Sequence, residues 1–245
     1  MRRVLVDIHG VRIYSYTALL YVGLVAGILI GHRVAALAGL PPDRTYVALV
    51  ALTLPALAGA RLLFVATSWD AYRREPARIW RCQEGGASLY GGLLLGIASS
   101  IPVLRALGVA FWEFWDVSTF TLLVGMAFTK VGCFLNGCCA GRPTTGRLGF
   151  TSPDHLGVAC RRIPSQLLES LLALVLLAAV SGLWSRRPFA GAVFLGAVAV
   201  YGLARFGLEL TRDTVDLIGG VKSNLVISAG LVALSACGLV FLAVR

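Results

Sequence analysis

Charged residues are scarce in this sequence, and their scarcity excludes a soluble domain. They make up 14% of the 245 residues, whereas about a quarter of an ordinary soluble domain is charged. Hydrophobic residues make up 58%, and the mean hydropathy is +0.81. We therefore expect an integral membrane protein.

Acidic residues are the scarcer of the two charged classes. The chain has 12 Asp and Glu against 22 Lys and Arg, which gives a formal charge of +10. No stretch interleaves basic and aromatic residues as a nucleic-acid surface does, and most basic residues lie between apolar runs. The positive charge therefore predicts attraction to anionic lipid head groups, with the membrane as partner and no nucleic acid.

Internal repeats, low-complexity linkers and zinc-finger cysteine spacings are also missing. The basic N-terminus turns polar before the apolar core of a signal peptide can form, so we expect it to belong to the mature protein. Residues 1–245 are predicted to form a single membrane-embedded domain. No cofactor and no metal are expected.

Long apolar runs are what the sequence does contain. About 20 mostly apolar residues suffice to cross a bilayer, and several segments qualify. The predicted fold is an all-α membrane protein, a polytopic bundle of about seven transmembrane helices, because no other regular structure satisfies the backbone of such runs in lipid. The predicted segments are 14–31, 45–66, 88–106, 117–137, 165–184, 189–209 and 223–244.

Lys130, Arg205 and Glu209 are the ionisable residues that lie deepest in these apolar runs. Such groups are costly in lipid and usually mark a functional site. Arg205 and Glu209 are four residues apart and share one helix face. They form either an internal ion pair that locks helix packing or a site in which Arg205 binds lipid phosphate and Glu209 orients it. Arg212, one turn further on, either extends this patch or snorkels to the interface.

Two other predicted helices begin with polar residues. Glu169 follows Gln166 by three residues on nearly the same face. A charged glutamate at that depth requires a partner, and we expect one of the arginines. Two Gly-Gly pairs flank Tyr90 in residues 85–92; the backbone amides of such a turn can bind an anion, whereas Tyr90 itself is equally well explained as an interfacial aromatic residue.

Three cysteines, Cys133, Cys138 and Cys139, lie within seven residues. With no histidine nearby they are a poor set of metal ligands. Three interpretations stay open: a disulfide from Cys133 to Cys138 or Cys139, small side chains that fill a crowded turn, and a nucleophilic thiolate activated by Lys130.

Four motifs, in order along nearly the whole chain, resemble the prolipoprotein diacylglyceryl transferase family. The family's Gly-Arg-x-Gly-Asn-Phe-x-Asn-Gly-Glu-x-x-Gly-Arg resembles Thr-Lys-Val-Gly-Cys-Phe-Leu-Asn-Gly-Cys-Cys-Ala-Gly-Arg at residues 129–142. Its Gly-Gly-x-Ser-x-His-Gly-Gly resembles Gly-Gly-Ala-Ser-Leu-Tyr-Gly-Gly at residues 85–92. Residues 164–169 match its Pro-Ser-Gln-x-x-Glu, and residues 205–212 match its Arg-Phe-x-x-Glu-x-x-Arg. Tyr16 corresponds to a tyrosine of the family's first helix.

The resemblance implies an enzyme that moves the diacylglyceryl group of phosphatidylglycerol to the lipobox cysteine thiol of a prolipoprotein and releases glycerol 1-phosphate. The implied catalytic residues are Tyr90, Lys130, Arg205 and Glu209. The implied substrate-binding residues are Tyr16, Asn136, Gly141, Arg142, Gln166, Glu169 and Arg212.

The resemblance also implies the bacterial cytoplasmic (inner) membrane, with the N-terminus and the substrate loops facing outward. The loops on the N-terminal side carry more Lys and Arg than those on the other side, and the positive-inside rule would place the N-terminus in the cytoplasm. We follow the resemblance, because loop arginines that bind lipid head groups would invalidate the count.

The chain departs from the family at four positions. The histidine is Tyr90, the first arginine is Lys130, and an asparagine and a glutamate are Cys133 and Cys138. Tyrosine is a weak general base near neutral pH, and lysine keeps the charge of arginine without its fork. Three functions therefore stay open: an active transferase with an altered site, a paralogue that acts on another acceptor through a cysteine, and a non-catalytic lipid-binding membrane protein.

Overall fold

The protein is described by a computed structural model that covers residues 4–8, 11–80, 87–147, 149–153, 159–212, 217–218 and 221–244. Gly85 and Gly86 of the motif at residues 85–92 lie outside these residues. Within the described residues, seven helices are long and apolar enough to cross a membrane. The prediction of an all-α, multi-pass membrane protein is confirmed.

Each predicted segment overlaps one of the long helices, and the boundaries differ by a few residues. The described part of the chain forms helices α1 (Ser15–Leu37), α2 (Pro42–Thr67), α3 (Trp69–Tyr72), α4 (Leu89–Leu107), α5 (Phe111–Asn136), α6 (Ser165–Leu183), α7 (Ala192–Glu209) and α8 (Ser223–Val244). The described residues also include two 3₁₀ helices, Pro76–Trp80 and Trp184–Arg186.

Short antiparallel ribbons occupy some of the joints between spans, and the sequence analysis missed them. Strands of two to five residues carry too little alternation to be recognised by pattern. The pairs are β1 (Val4–Ile8) with β2 (Val11–Tyr14), β3 (Phe150–Pro153) with β4 (Ala159–Arg162), and β5 (Leu217–Ile218) with β6 (Val221–Lys222).

The chain divides into two compact units, one formed by Met1–Gly27 with Trp115–Arg245 and the other by Ile28–Phe114. That residues 1–245 act as one domain stays a prediction. In the unit of residues 28–114, α2 and α4 pack through paired glycines. A Cβ atom on Gly59 would collide with the carbonyl oxygen of Gly91, and one on Gly91 with that of Gly59. Small residues at a crossing let two backbones approach closely, which favours helix association in lipid.

In the other unit, α5 packs against both α1 and α6. Thr121 of α5 donates a hydrogen bond from Oγ1 to the carbonyl oxygen of Gly27 at 2.9 Å. Ser170 of α6 donates from Oγ to the carbonyl oxygen of Ala127 at 2.9 Å. These bonds satisfy the half-buried hydroxyl of Thr121 and the buried hydroxyl of Ser170, and they fix the helices that carry most of the predicted site residues.

A buried aspartate connects the starts of α5 and α7. Asp116 has no exposed surface, and its two carboxylate oxygens accept hydrogen bonds from the backbone amides of Gly191 at 2.8 Å and Phe194 at 2.9 Å. Amides at a helix N-terminus have no partner within the helix and favour a negative charge. Asp116 therefore caps α7 from a different helix.

Candidate functional site

Glu169 is the centre of a buried group of charges. The residue is 1% exposed. Its Oε1 accepts a hydrogen bond from Nη1 of Arg212 at 3.0 Å and lies 3.4 Å from Nη1 of Arg205, while its Oε2 contacts Nζ of Lys130. The expectation that Glu169 pairs with an arginine is confirmed.

Arg205 is shared between two carboxylates. Its Nη2 lies 3.1 Å from Oε2 of Glu209, on the helix face that the four-residue spacing predicts. Asn224 of α8 donates from Nδ2 to Oε1 of Glu209 at 3.5 Å. The ion cluster, as we call it from here on, is formed by Lys130, Glu169, Arg205, Glu209 and Arg212.

The ion cluster carries one net positive charge, since three cations face two carboxylates. Counted over these five described side chains, cations outnumber carboxylates, and an anion placed beside them would be stabilised. The side chains of Lys130 and Arg212 are 18% and 14% exposed, whereas that of Arg205 is 5% exposed. Lys130 and Arg212 are therefore the more accessible cations of the ion cluster, and Arg205 is the most enclosed.

The segment that follows the cysteines forms backbone pairs with the segment after α7. Gly141 forms an antiparallel bridge with Arg212. Arg142 donates from its amide to the carbonyl oxygen of Thr211 at 2.9 Å and from Nε to that of Arg212 at 3.1 Å. The exposed Arg142 side chain thus binds the backbone that carries Arg212, which gives Arg142 a positioning geometry.

Glycine is the one residue type that fits at position 141. A Cβ atom there would lie 2.9 Å from the carbonyl oxygen of Thr211, would touch Oγ of Ser165, and would collide with the carbonyl oxygen of Ile163. Backbone atoms on two sides cannot move apart without breaking the bridge. The glycine of the predicted motif is therefore explained by close approach of the backbone.

A Schellman turn ends α5 and reverses the chain. Gly137, at φ +79°, donates from its amide to the carbonyl oxygen of Phe134 at 3.3 Å, and the Cys138 amide donates to that of Cys133 at 3.2 Å. In a Schellman motif, the two residues at the positions that Cys133 and Cys138 occupy here have side chains in contact. Gln166, buried in the first turn of α6, donates from Nε2 to the carbonyl oxygen of Cys138 at 2.7 Å.

The thiol cluster consists of Cys133, Cys138 and Cys139, whose Sγ atoms all lie within 4.8 Å of one another. Cys133 is buried, Cys138 is half-buried and Cys139 is exposed, and all three are free thiols. Cys139 has φ +58°, a left-handed conformation that is uncommon outside glycine. The turn and this conformation together bring the three sulfur atoms to one place.

Hydrogen bonds within the thiol cluster make its members unequal. The pKa of Cys139 lies well below its usual range, because it accepts hydrogen bonds from Cys133 and Cys138 and interacts with the charges of Lys130 and Arg212. For Cys138, the hydrogen bond accepted from Cys133 lowers the pKa, but the bond donated to Cys139 and burial outweigh it and raise the pKa to about 11. Among the three thiols, Cys139 is the one whose thiolate form the surroundings favour.

Three other predicted site residues, Tyr16, Asn136 and Tyr90, lie on α1, α5 and α4. Tyr16, half-buried in α1, interacts electrostatically with the thiol cluster and with Lys130. Asn136 is the last residue of α5, and its side chain hydrogen-bonds to Cys138. Tyr90 is buried at the second position of α4 and belongs to the unit of residues 28–114. The remaining predicted site residues all belong to the unit that holds the ion cluster.

Sequence analysis missed Tyr201 and Asn224. Tyr201 is buried in α7 and interacts electrostatically with both Lys130 and Arg212. It precedes Arg205 and Glu209 at the same four-residue interval, so the repeat of polar groups on one face was a signal that could have identified it. Asn224 belongs to another helix, and no local pattern links it to Glu209.

Comparison with known proteins identifies relatives over almost the entire chain. Residues 3–241 match the family model described as prolipoprotein diacylglyceryl transferase. The chain is 29% identical to the phosphatidylglycerol–prolipoprotein diacylglyceryl transferases of Bacillus cereus (strain G9842) and Bacillus anthracis (strain A0248), over 99% of this chain and 92% of theirs. The enzyme of that name from Bacillus thuringiensis subsp. konkukian (strain 97-27) shows the same identity and coverage.

Proposed function

Because the chain belongs to the prolipoprotein diacylglyceryl transferase family, we propose that it transfers the diacylglyceryl group of phosphatidylglycerol to the lipobox cysteine thiol of a prolipoprotein. The sulfur atom forms a thioether bond to the glyceryl carbon, and the bond from that carbon to the phosphate oxygen breaks. Glycerol 1-phosphate leaves, and the proton of the thiol must be accepted by a base or by water. Residues 1–245 act in this reaction as one domain.

The observation that carries this proposal is the pair of partly exposed cations, Lys130 and Arg212, that the ion cluster presents. Negative charge develops on the phosphate as it departs, and fixed cations stabilise it most in a site that excludes water. Lys130 and Arg212 contact the phosphate, because their side chains are the more exposed cations of the cluster. Arg205, between Glu169 and Glu209, keeps the two carboxylates in place and adds its charge at longer range.

The other predicted residues shape the site around this phosphate position. Gly141 and Arg142 hold the backbone of Arg212, and Gln166 and Asn136 hold the turn that follows α5. Tyr16 lies near the thiol cluster, where its hydroxyl can meet the acceptor peptide. The resemblance assigns proton transfer to Tyr90, and tyrosine is a weak base near neutral pH. Proton transfer is thus the step at which this chain departs furthest from its family.

The substrate chemistry also supports a location. Phosphatidylglycerol and prolipoproteins meet in the bacterial cytoplasmic (inner) membrane, and we infer that the chain spans that membrane with its N-terminus outward. A reporter fused to the C-terminus and active only on one side measures this orientation. With the seven spans found among the described residues, an outward N-terminus places the C-terminus in the cytoplasm, and a reporter active only outside would contradict this orientation.

The transferase activity has a direct test. Purified protein in detergent, mixed with phosphatidylglycerol and a lipobox peptide, should yield a diacylglyceryl peptide by mass spectrometry. A peptide with serine in place of the cysteine is the control and should stay unmodified. Absence of product, under conditions where a Bacillus relative converts the cysteine peptide, would refute the proposal.

Cys139 supports a second candidate function, in which this thiolate is itself the acceptor and then passes the group on. Its exposure and its lowered pKa are the properties of a nucleophilic cysteine. Intact-mass analysis after incubation with phosphatidylglycerol should then show a diacylglyceryl adduct that the Cys139→Ala variant lacks. A non-catalytic lipid-binding protein would instead be inactive and would gain activity from Tyr90→His with Lys130→Arg.

A further inference from the structure

The thiol cluster has the geometry of a metal site that the cysteine spacing alone does not suggest. Its three Sγ atoms lie within 4.8 Å of one another, and a tetrahedral zinc ion with Zn–S distances of about 2.3 Å holds its sulfur ligands about 3.8 Å apart. Side-chain shifts of about 1 Å would therefore bring all three sulfur atoms into one coordination sphere. The missing histidine is no obstacle, because three thiolates are a sufficient set.

The charges around the thiol cluster favour a divalent ion. Three thiolates add three negative charges to the single positive charge of the ion cluster, and Cys139 interacts directly with the charges of Lys130 and Arg212. A divalent ion brings the total to zero, whereas a monovalent ion leaves one negative charge. Thiolates accept both Zn²⁺ and Cu⁺, and in a low-dielectric region the neutral combination costs less.

The ligands are held in place by the surrounding chain. The Schellman hydrogen bond fixes the Cys138 amide, and Gln166 fixes the carbonyl oxygen of the same residue at 2.7 Å. Such outer contacts orient metal ligands and raise affinity. Exposed Cys139 provides the route by which an ion enters.

We propose that Cys133, Cys138 and Cys139 bind one Zn²⁺ ion and leave its fourth coordination position open. Sites with three protein ligands and one open position are typical of zinc enzymes, whereas structural sites are closed by four. The ligands place this ion beside Lys130 and Arg212, where the departing phosphate is expected to lie.

The open position suits the acceptor thiol, and this step rests on the proposed transferase function. A thiol that coordinates zinc is deprotonated outright. The lipobox thiol displaces zinc-bound water, its proton passes to solvent, and the resulting thiolate forms the C–S bond as the C–O bond to phosphate breaks. The thiol cluster would thereby supply the proton step for which Tyr90 is poorly suited.

Metal binding is tested without reference to activity. Protein purified in detergent under reducing conditions is stripped with a chelator and titrated with Zn²⁺ or Cd²⁺, and thiolate-to-Cd²⁺ absorption reports the bound ion. We expect one ion per chain and three sulfur neighbours at about 2.3 Å from zinc by X-ray absorption. Cys133→Ser, Cys138→Ser and Cys139→Ser should each weaken binding by more than about 100-fold, the upper end of what loss of an outer contact costs.

Cys160→Ser and Cys237→Ser are the matched controls and should bind as the native chain does. Size-exclusion chromatography of every variant separates loss of a ligand from loss of the fold. Failure of the native chain to bind an ion, or binding that Cys139→Ser leaves unchanged, overturns the proposal. A disulfide within the thiol cluster of reduced, anaerobically purified protein would overturn it as well.

The acceptor step has its own readout. In protein loaded with Co²⁺, the visible absorption of the ion should change when a lipobox peptide is added and stay constant with the serine peptide. Constant absorption with both peptides overturns the acceptor role. Product formation by metal-free protein overturns the catalytic use of zinc and leaves the transferase function standing. An ion bound without any product refutes the transferase function, and with it the acceptor step, and leaves the zinc site standing.

Discussion

Gln166 holds the turn that carries the thiol cluster, since its side-chain amide donates to the carbonyl oxygen of Cys138 at 2.7 Å. Gln166→Leu would keep the volume and leave this carbonyl without its side-chain donor. We expect a loss of about 1–3 kcal/mol in the free energy of unfolding, measured by thermal unfolding in detergent. Ser181→Ala, which removes an exposed hydroxyl bonded within the same helix, is the control. Equal melting temperatures for the two variants would contradict the prediction.

Glu169→Gln removes the carboxylate that three cations share. Breaking a buried ion pair costs about 3–5 kcal/mol, because the remaining charge stays buried without a partner. We expect a lower melting temperature and no transferase activity, and partial recovery of stability when Lys130→Gln is added. Asp70→Asn, in an exposed pair with Arg73, should cost less than about 1 kcal/mol. A stable, active Glu169→Gln protein would refute the role of the ion cluster.

Gly141→Ala tests the close approach between the predicted motif and the segment after α7. The added methyl group would meet backbone oxygens of Ile163 and Thr211, and overpacking of this kind costs about 1–3 kcal/mol. Gly182→Ala is the control, because no atom lies within 4 Å of its Cβ position in α6; it should stabilise the helix by about 0.5–1 kcal/mol. The prediction fails if both variants unfold at the same temperature.

Tyr90→Phe and Cys139→Ser distinguish the two sources of the proton step. If the acceptor thiol is activated at the thiol cluster, Tyr90→Phe should lower kcat by less than about 10-fold, whereas loss of a general base costs about 10²- to 10⁴-fold. Cys139→Ser should abolish turnover. The reverse result, with a large loss in Tyr90→Phe and none in Cys139→Ser, would assign proton transfer to Tyr90. Initial rates with the lipobox peptide provide the measurement.

Alkylation of Cys139 should extend to lower pH than that of an ordinary cysteine. Its pKa is lowered by hydrogen bonds from Cys133 and Cys138 and by nearby cations, so the thiolate persists on acidification, whereas a free cysteine with a pKa of about 8.5 is mostly protonated at pH 7. Peptide mass mapping of iodoacetamide labelling from pH 5 to 9 gives the profile. The Cys133→Ala, Cys138→Ala double variant removes both donors and should shift the profile towards higher pH. Identical profiles would contradict the assigned hydrogen bonds.

The membrane spans could be predicted because their cause is local. An apolar run of sufficient length can satisfy its backbone in lipid as a helix and in almost no other way, so composition alone located all seven. The pairing of Arg205 with Glu209 was predictable for the same reason, since four residues make nearly one helical turn. The depth of Glu169 in an apolar run indicated that it needs a charged partner. The sequence did not indicate that three cations, Lys130, Arg205 and Arg212, would share it.

The rest of the site depends on contacts between distant segments. Gly141 pairs with Arg212, and Asn224 reaches Glu209 from another helix, and no periodicity in the sequence specifies either contact. The thiol cluster is a different case, because its members are close in sequence. The spacing argued against a metal site, and only the reversal at Gly137 shows that three sulfur atoms meet.

Asp116 has a consequence for the depth of the ion cluster. Lys130 stands fourteen residues after Asp116 in α5, and Arg205 stands fourteen residues after Gly191 in α7; at 1.5 Å per residue both lie about 21 Å along their helices. The hydrogen bond between Asp116 and Gly191 thus joins α5 to the start of α7 at points from which Lys130 and Arg205 are the same number of residues away. One residue inserted between Asp116 and Lys130, or between Gly191 and Arg205, would shift that cation by about 1.5 Å along the helix axis and rotate it by about 100° around the axis. The cation would then point away from Glu169, with the composition of the membrane span almost unchanged.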